Sequence, residues 1–381
     1  MILTDEQTSI RDSARRFSRE RLLPDYQKRE ADDCLNRDIV REMGALGFLG
    51  SDISDEFGGA GCSSLVSGLV IEEIAYGDFC LSNFPTQASL LGAILSRSAT
   101  KDVAHQWIPG IASGDVIPAI CLTEPSAGSD AAQLSLRARK DGSDYILSGE
   151  KTSITFGAFA DVFVVFARTD PQAGAKGISA FAVDGRARGI STSAFDDAGC
   201  RCAGRASVFF DDVRVPAECL LGDENQGFTQ VMKGFDYSRA LIALMCLGSA
   251  QASLDEAWRY TLERQTFGVP IATHQGVTFP LAEADAMMTA IRELSYSALT
   301  LRDQGLPHTA EAAMVKLLGP KTAFDVIHQC LLTFGHYGWS KDSPHQQRMR
   351  DVMGSEIGDG TAGIMKLIIS RQRIRAITAG A

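Results

Sequence analysis

The chain has 381 residues, 45% of them hydrophobic and 22% charged, with a formal net charge of −10 at pH 7. That composition describes a folded globular protein of two or three packed units, not a disordered chain. The negative balance argues against nucleic acid, which needs a basic face, so an anionic ligand must be met by local positive charge or helix N-termini. The nine cysteines (Cys34, Cys62, Cys80, Cys121, Cys200, Cys202, Cys219, Cys246 and Cys330) are scattered, an odd count with no C-x-x-C spacing. They predict reduced thiols in a cytoplasm. The six histidines stand at no metal spacing, which predicts no zinc site. The N-terminus, Met-Ile-Leu-Thr-Asp-Glu, has no signal-peptide pattern, and no apolar run approaches membrane-spanning length.

The first third reads as helices. Thr4 with Gln7 is a capping-box pattern, and Ile10, Ala14 and Phe17 follow at helical spacing before Pro24. A second helix carries Ile39, Val40, Met43 and Leu46. Gly58-Gly59-Ala60-Gly61 breaks the chain, and Ser64 opens a third helix with Leu65, Leu69, Ile71 and Ile74. More helix is expected over 89–96 and 102–108, up to a boundary at Ser113-Gly114-Asp115. A short apolar strand then runs from Ile117 to Leu122 into a loop of Thr123, Glu124, Pro125, Ser126, Ala127, Gly128, Ser129 and Asp130. Pro125 fixes one φ and Gly128 permits a positive one, while the small hydroxyls supply donors without bulk. Such a loop can hold a flat, polar-edged ring.

From there to about Gly222 the period is two. Leu134, Leu136 and Ala138 alternate with polar residues, Asp141-Gly142 makes a hairpin turn, and Tyr145 to Leu147 resumes. Ser148-Gly149 reads as another turn. Val162–Ala167, Ile178–Val183 and Ser207–Phe210 are further strands, which together suggest a small barrel or sandwich. The last third returns to four long helices, Ala240–Arg264, Val277–Asp303, Thr309–Leu332 and Ala362–Ile377, a four-helix bundle. The expected architecture is α+β and multidomain: helical over 1–115, β over 116–225, and a helical bundle over 226–381.

These motifs, in this order over nearly the whole chain, resemble the acyl-CoA dehydrogenase family of flavoproteins. Leu122-Thr123-Glu124-Pro125 through Gly128-Ser129-Asp130 is similar to its first signature, at the flavin pyrimidine edge. Gly149-Glu150-Lys151 through Ile154-Thr155 resembles its second flavin segment, with Thr155 near N5 and Ser153 beside the ring. Arg201 and the stretch Phe210 to Pro216, then Leu221-Gly222, resemble the exit from the β domain. Arg264-Gln265-Thr266-Phe267-Gly268 and His274-Gln275 resemble pyrophosphate and adenosine contacts made across a subunit interface, and Gly335 and Thr361 join the expected FAD set. Phe235, Asp236, Arg239, Ser129 and Gly360 are the expected substrate contacts. Arg350-Asp351 and Gly358-Asp359-Gly360-Thr361 resemble the stretch that ends in the catalytic base.

The resemblance implies that Asp359 removes the α-proton of an acyl thioester while the β-hydrogen leaves as hydride to FAD, with Arg239 orienting the base loop. It further implies an acyl-CoA or acyl-carrier-protein thioester as substrate, an electron-transfer flavoprotein as acceptor, and a homotetramer built as a dimer of dimers.

The departures concern the substrate. Most of the family has Glu where Asp359 stands, which sets the carboxylate back by roughly 1.3 Å. The position corresponding to Ser238, where other members keep their base, cannot serve. Ser153 replaces a frequent Trp, Gly358 a frequent aromatic, Leu332 a Gln, His336 a Gly, and Gly363 a polar residue. Asp359, Ser153 and Gly358 together fit a compact branched or alicyclic acyl group such as cyclohexanecarboxyl. In the competing reading Phe156, Trp339 and Tyr337 fill that room and leave a short straight-chain pocket. Other readings are an oxygen-using flavoenzyme on this fold and a flavin-free binding protein.

Overall fold

A computed structural model describes residues 1–32 and 35–379, so Cys34 lies outside the described residues. The other eight cysteines are free thiols. The helices α1 (Asp5–Phe17), α2 (Tyr26–Asp32), α3 (Arg37–Ala45), α4 (Ser64–Gly77), α5 (Asn83–Ser98) and α6 (Lys101–Ser113) come first. Thr4 caps α1 with the reciprocal Gln7 bond that its sequence predicts. Every residue of α4 is buried, most of them apolar, and Glu72 and Glu73 are met by Arg292, Tyr296 and Arg15; the helix packs on the C-terminal helices. α5 starts six residues before the expected Ser89, because Phe84, Pro85 and Thr86 are themselves buried and extend the packed face.

The strands β1 (Pro118–Cys121), β2 (Arg137–Asp141), β3 (Asp144–Ile154), β4 (Val162–Arg168), β5 (Ile178–Asp184), β6 (Ile190–Ala194) and β7 (Ala206–Val215) follow. They form one seven-stranded sheet in the order β1-β4-β2-β3-β7-β6, with β5 on β4. It is a half-barrel rather than a sandwich. Ser148-Gly149 is not a turn: it lies inside β3, where the register to β7 shifts between Leu147 and Gly149, and Gly149 takes φ +142°. The glycine that reads as punctuation is a β-bulge.

The C-terminal part holds α7 (Gly227–Glu263), the two-stranded hairpin β8 (Gln265–Thr266) and β9 (Val269–Pro270), α8 (Gln275–Asp303), α9 (Thr309–Phe334), α10 (His336–Trp339), α11 (His345–Met353) and α12 (Ala362–Ala379). α7 begins 13 residues earlier than its apolar stripe suggests. Its first turns carry Gln230, Lys233 and Asp236 beside buried Val231 and Phe235, so the pattern is diluted there. α11 is not foreseen at all, because its buried face is polar: His345, Gln347, Arg348 and Asp351. Burying these groups requires partners, and Arg348 finds Glu256 through a bidentate pair at 2.8 Å on each arm. Among the described residues no helix is long and apolar enough to cross a membrane.

Candidate active site

The chain reaches Asp359 from α11 through a 3₁₀ turn, Gly354–Glu356, and leaves it into α12. Asp359 has φ +54° and Gly360 φ +108°. A left-handed non-glycine residue costs on the order of 1–3 kcal/mol and persists only where its surroundings over-determine it. Here two helices do so. The Ser238 hydroxyl donates to Asp359 Oδ2. Arg239 Nε donates to the Asp359 carbonyl at 3.2 Å. Lys316 Nζ donates to the Ser355 carbonyl at 2.6 Å and to the Gly360 carbonyl at 3.2 Å. Ser238 and Arg239 on α7 and Lys316 on α9 are all buried, so the scaffold presents this set ready-made. The φ of +108° at Gly360 lies where a side chain is strained, so glycine suits that position.

The Asp359 loop lies among cations that are themselves held. Arg239 Nη1 pairs with Asp236 at 2.9 Å, and Asp236 Oδ2 accepts from Thr309 Oγ1 at 2.6 Å. The Arg239 guanidinium lies 5.8 Å from the Phe235 ring centre. Burial lowers the pKa of both Arg239 and Lys316, while the carboxylates of Asp236 and Asp359 pull the other way.

A second group surrounds the Thr/Ser/Gly loop. Lys151 and Glu124 form an ion pair at 2.8 Å with side chains 0% and 2% exposed. Lys151 also donates to the Leu122 carbonyl at 2.9 Å, and Glu124 accepts from Ser135 N, Ser135 Oγ and Leu136 N. Burial pushes Glu124 up, but Lys151 and the two main-chain N–H groups outweigh it and leave the carboxyl below its ordinary value. The pair ties the loop to β3, as does the bond from Thr152 N to the Thr123 carbonyl at 2.9 Å. With its root so anchored, Leu122 is buried, Thr123 is half-buried, and Ser126, Gly128 and Ser129 face outward. A Cβ at Gly128 meets nothing within 4 Å, so the main chain there is open to close approach.

Ser153 and Phe156 also take left-handed φ values, +59° and +63°, around Thr155. The Ser153 hydroxyl accepts from Arg205 Nη1 at 3.0 Å, and Arg205 is itself paired to Asp197. Phe156 is fully buried and stacks on Phe84 with ring centres 4.2 Å apart, while Trp339 and Tyr337 are exposed on α10. The side chains that could fill the room left by Ser153 and Gly358 are thus committed to the core or the surface. A Cβ at Gly358 meets nothing within 4 Å.

The third group is the β8–β9 hairpin and the start of α8. Arg264, Phe267 and Gln275 are exposed, Phe267 by 94%, and Thr266 and His274 are half-buried. Phe267 and His274 meet edge to face at 6.1 Å. Gly335, at φ +62°, joins α9 to α10, and Thr361 leads from the Asp359 loop into α12. His274 Nε2 is buried with no hydrogen-bond partner. An orphan ring nitrogen beside exposed Arg264 and Gln275, and an open glycine loop lined with hydroxyls, fit the two ends of a flavin dinucleotide.

The structure therefore gathers Phe235, Asp236, Arg239, Asp359, Gly360 and Thr361 at one place. Leu122, Thr123, Ser129, Ser153 and Thr155 share the loop at the head of β1 and the end of β3. Four groups escape a reading of the sequence in these roles: Ser238, Lys316, Glu124 and Lys151. Lys316 gives a signal, since it falls on the buried stripe Ala312, Val315 and Gly319 of α9, where a cation needs a reason. Glu124 and Lys151 lie within motifs, but their pairing crosses 27 residues and is invisible to local spacing.

Comparison with known proteins agrees with this geometry. Family models match in chain order: the acyl-CoA dehydrogenase N-terminal domain over residues 4–115, its middle domain over 119–213 and its C-terminal domain over 225–374. A short-chain-specific acyl-CoA dehydrogenase of Clostridium acetobutylicum is 34% identical over 377 residues, 98% of this chain and 99% of that protein. An isobutyryl-CoA dehydrogenase of Dictyostelium discoideum is 32% identical, covering 97% and 89%. The structure of butyryl-CoA dehydrogenase from Megasphaera elsdenii superposes with a TM-score of 0.95 at 30% identity, covering 98% and 99%. The chain belongs to the acyl-CoA dehydrogenase family: it is a flavoprotein oxidoreductase that binds FAD and dehydrogenates acyl-CoA.

Proposed function

We propose that this enzyme oxidises a short acyl-CoA whose acyl group is branched or alicyclic, with Asp359 as the base that takes the α-proton. The observation that carries this reading is the holding of Asp359 in a left-handed conformation by Ser238, Arg239 and Lys316. A left-handed carboxylate held from two helices supports a positioned reactive group. Arg239 orients that loop, and Phe235, Asp236, Ser129 and Gly360 line the approach of the thioester. Bound FAD supplies the hydride acceptor. Leu122, Thr123, Ser129, Ser153 and Thr155 would hold its ring end, and Arg264, Thr266, Phe267, His274, Gln275, Gly335 and Thr361 its dinucleotide end.

The open space at Gly358, the small exposed Ser153 and the short base support the branched acyl group. The likeness to an isobutyryl-CoA dehydrogenase, named for a branched acyl group, supports it too. A short straight-chain substrate is the second reading, favoured by the short-chain and butyryl relatives. The thioester is carried by coenzyme A in both; an acyl-carrier-protein ester shares the same pantetheine arm and is the alternative carrier. Reduced flavin must pass its electrons on, so an electron-transfer flavoprotein is the acceptor we assign, and a cytoplasmic homotetramer is the assembly.

An anaerobic titration of the yellow protein tests the reading, using butyryl-, octanoyl-, isobutyryl- and cyclohexanecarboxyl-CoA with the visible flavin band as readout. Bleaching is expected to be strongest with a branched or cyclic ester and lost in Asp359→Asn, with a fall of about 1,000-fold or more in reduction rate. Full activity of Asp359→Asn would overturn the base, and a preference for butyryl would overturn the branched reading.

A further inference from the structure

We propose that Ser238 is a positioning residue for the base. Its hydroxyl, donated to Asp359 Oδ2, fixes the carboxylate so that Oδ1 faces the substrate and receives the proton. The inference rests on the reading of Asp359 as the base.

The geometry carries it in three steps. First, Asp359 is only half-buried, and the terminal torsion of an aspartate is broad, so an unheld carboxylate at this loop would sample a wide range of orientations. The main chain of the loop is fixed by Arg239 at the Asp359 carbonyl and by Lys316 at the Gly360 carbonyl. Neither of those bonds restrains the side chain. Ser238 does, and it is 1% exposed, so the bond is made away from water.

Second, Ser238 and Arg239 are consecutive on α7, a rigid helix whose buried residues run along most of its length. One residue fixes the carboxylate and the next fixes the backbone of the same amino acid. A base placed to within a few tenths of an ångström needs both, since a misplacement of about 1 Å can cost on the order of 100-fold in rate. The requirement is sharper for aspartate than for a longer acid, because a short side chain has fewer torsions with which to correct its reach.

Third, the hydroxyl has somewhere to go when the carboxylate changes state. Ser238 Oγ also lies 3.5 Å from the Phe235 carbonyl, the local partner that a helical serine ordinarily takes. When the α C–H bond breaks, the proton ends on Oδ1, and bound FAD would supply the acceptor for the β-hydrogen and its electron pair. Oδ2 then becomes a neutral carbonyl oxygen and a weaker acceptor. The serine hydroxyl can stay on it or turn to Phe235 with no change in the count of donors and acceptors. A hydroxyl that can swap partners holds the anion firmly without leaving an orphan after the transfer.

The test compares Ser238→Ala, Ser238→Thr and Asp359→Asn in the FAD-loaded enzyme, using whichever acyl-CoA ester reduces the parent protein. Ser238→Ala is expected to lower kcat by about 10- to 100-fold. Affinity for a non-reacting acyl-CoA thioether analogue, measured by calorimetry, should change by less than about twofold, along with FAD content and Tm. Ser238→Thr keeps the donor and should restore kcat to within a few-fold. A crystal structure of Ser238→Ala should show the Asp359 carboxylate turned from its parent orientation, a readout independent of turnover.

An unchanged kcat in Ser238→Ala, an unmoved carboxylate, or a joint loss of kcat, analogue affinity and FAD would each overturn the proposal. If Ser238→Ala fails to fold, Ser238→Cys, which keeps the size with a weaker donor, takes its place with the same expectations. Activity surviving in Asp359→Asn would sink the base assignment itself, whereas an inactive Asp359→Asn beside a fully active Ser238→Ala sinks only the role of Ser238.

Discussion

The two regions assigned to FAD are built in opposite ways. At the ring end, the loop after β1 stands on a buried ion pair, Glu124 with Lys151, whose side chains are 2% and 0% exposed and whose remaining donors and acceptors are met within the same chain. At the dinucleotide end, Phe267 is 94% exposed, and Leu262 and Phe279, on the helices either side of the hairpin, are exposed by 68% and 57%. The first region is complete in one chain. The second presents apolar side chains of a size that a lone soluble molecule rarely leaves uncovered. The contrast teaches that one copy can form the ring-binding loop unaided, while the dinucleotide end suits a place where a second copy covers the hairpin.

The largest expected effect falls on the first region. Lys151→Met leaves Glu124 as an uncompensated buried charge, so a loss of about 3–5 kcal/mol in unfolding free energy is expected, read by denaturant melts. Adding Glu124→Gln should recover part of that loss, because the charge is gone and the amide oxygen can still accept from Ser135, although Leu136 N then loses the second carboxylate oxygen it donates to. Full stability in Lys151→Met alone would break the comparison at its root. In the second region Phe267→Ala should behave in the opposite manner. Unfolding of the single chain should change by less than about 0.5 kcal/mol, since the ring is exposed. Oligomer dissociation on dilution, followed by analytical ultracentrifugation, should rise by about tenfold or more, and FAD retention should fall with it. A Phe267→Ala protein that stays assembled and yellow on dilution would remove the case for a covering copy.

What the sequence reveals divides along the same line. The capped α1, the largely apolar α4 and the long C-terminal helices declare themselves by spacing, and the motif residues around Asp359 and Thr123 by their resemblance. The groups that hold those residues do not. Ser238 looks inert when judged only as a substitute base, yet it touches Asp359 across 121 positions of chain. Lys316 binds carbonyls 39 and 44 residues away, and Glu124 meets Lys151 across a strand and a loop. Periodicity reports which face of an element is buried, but not which polar group waits there. α11 is the limiting case, because four of its five buried residues are polar and no hydrophobic stripe marks it. The Ser148-Gly149 bulge fails for a related reason: glycine serves turns and bulges alike, and only the register with β7 distinguishes them.

Asp351 of α11 lies where the three parts of the molecule meet. Its Oδ2 accepts from Tyr26 of α2 at 2.6 Å and its Oδ1 from the Cys200 main-chain N–H at 2.7 Å. Burial pushes its carboxyl up to about 7, the Tyr26 and Cys200 donors oppose the rise, and the carboxylates of Asp78 and Glu30 add to it. An acid whose folded pKa lies above its unfolded value, about 3.9, holds a proton in the native state that the unfolded chain has released. Its contribution to stability is therefore full at the acid end and is lost as pH rises from about 4 to about 7, at no more than roughly 1.4 kcal/mol per pH unit. Asp351→Asn keeps an acceptor for one donor and abolishes the titration. The stability of the parent relative to Asp351→Asn should thus decline across that window and level off above it. A difference that instead grows with pH would mean that the Tyr26 and Cys200 donors hold Asp351 ionised. The junction would then be a charged anchor like the Glu124–Lys151 pair, and the pre-built part of the molecule would extend electrostatically to within eight residues of Asp359.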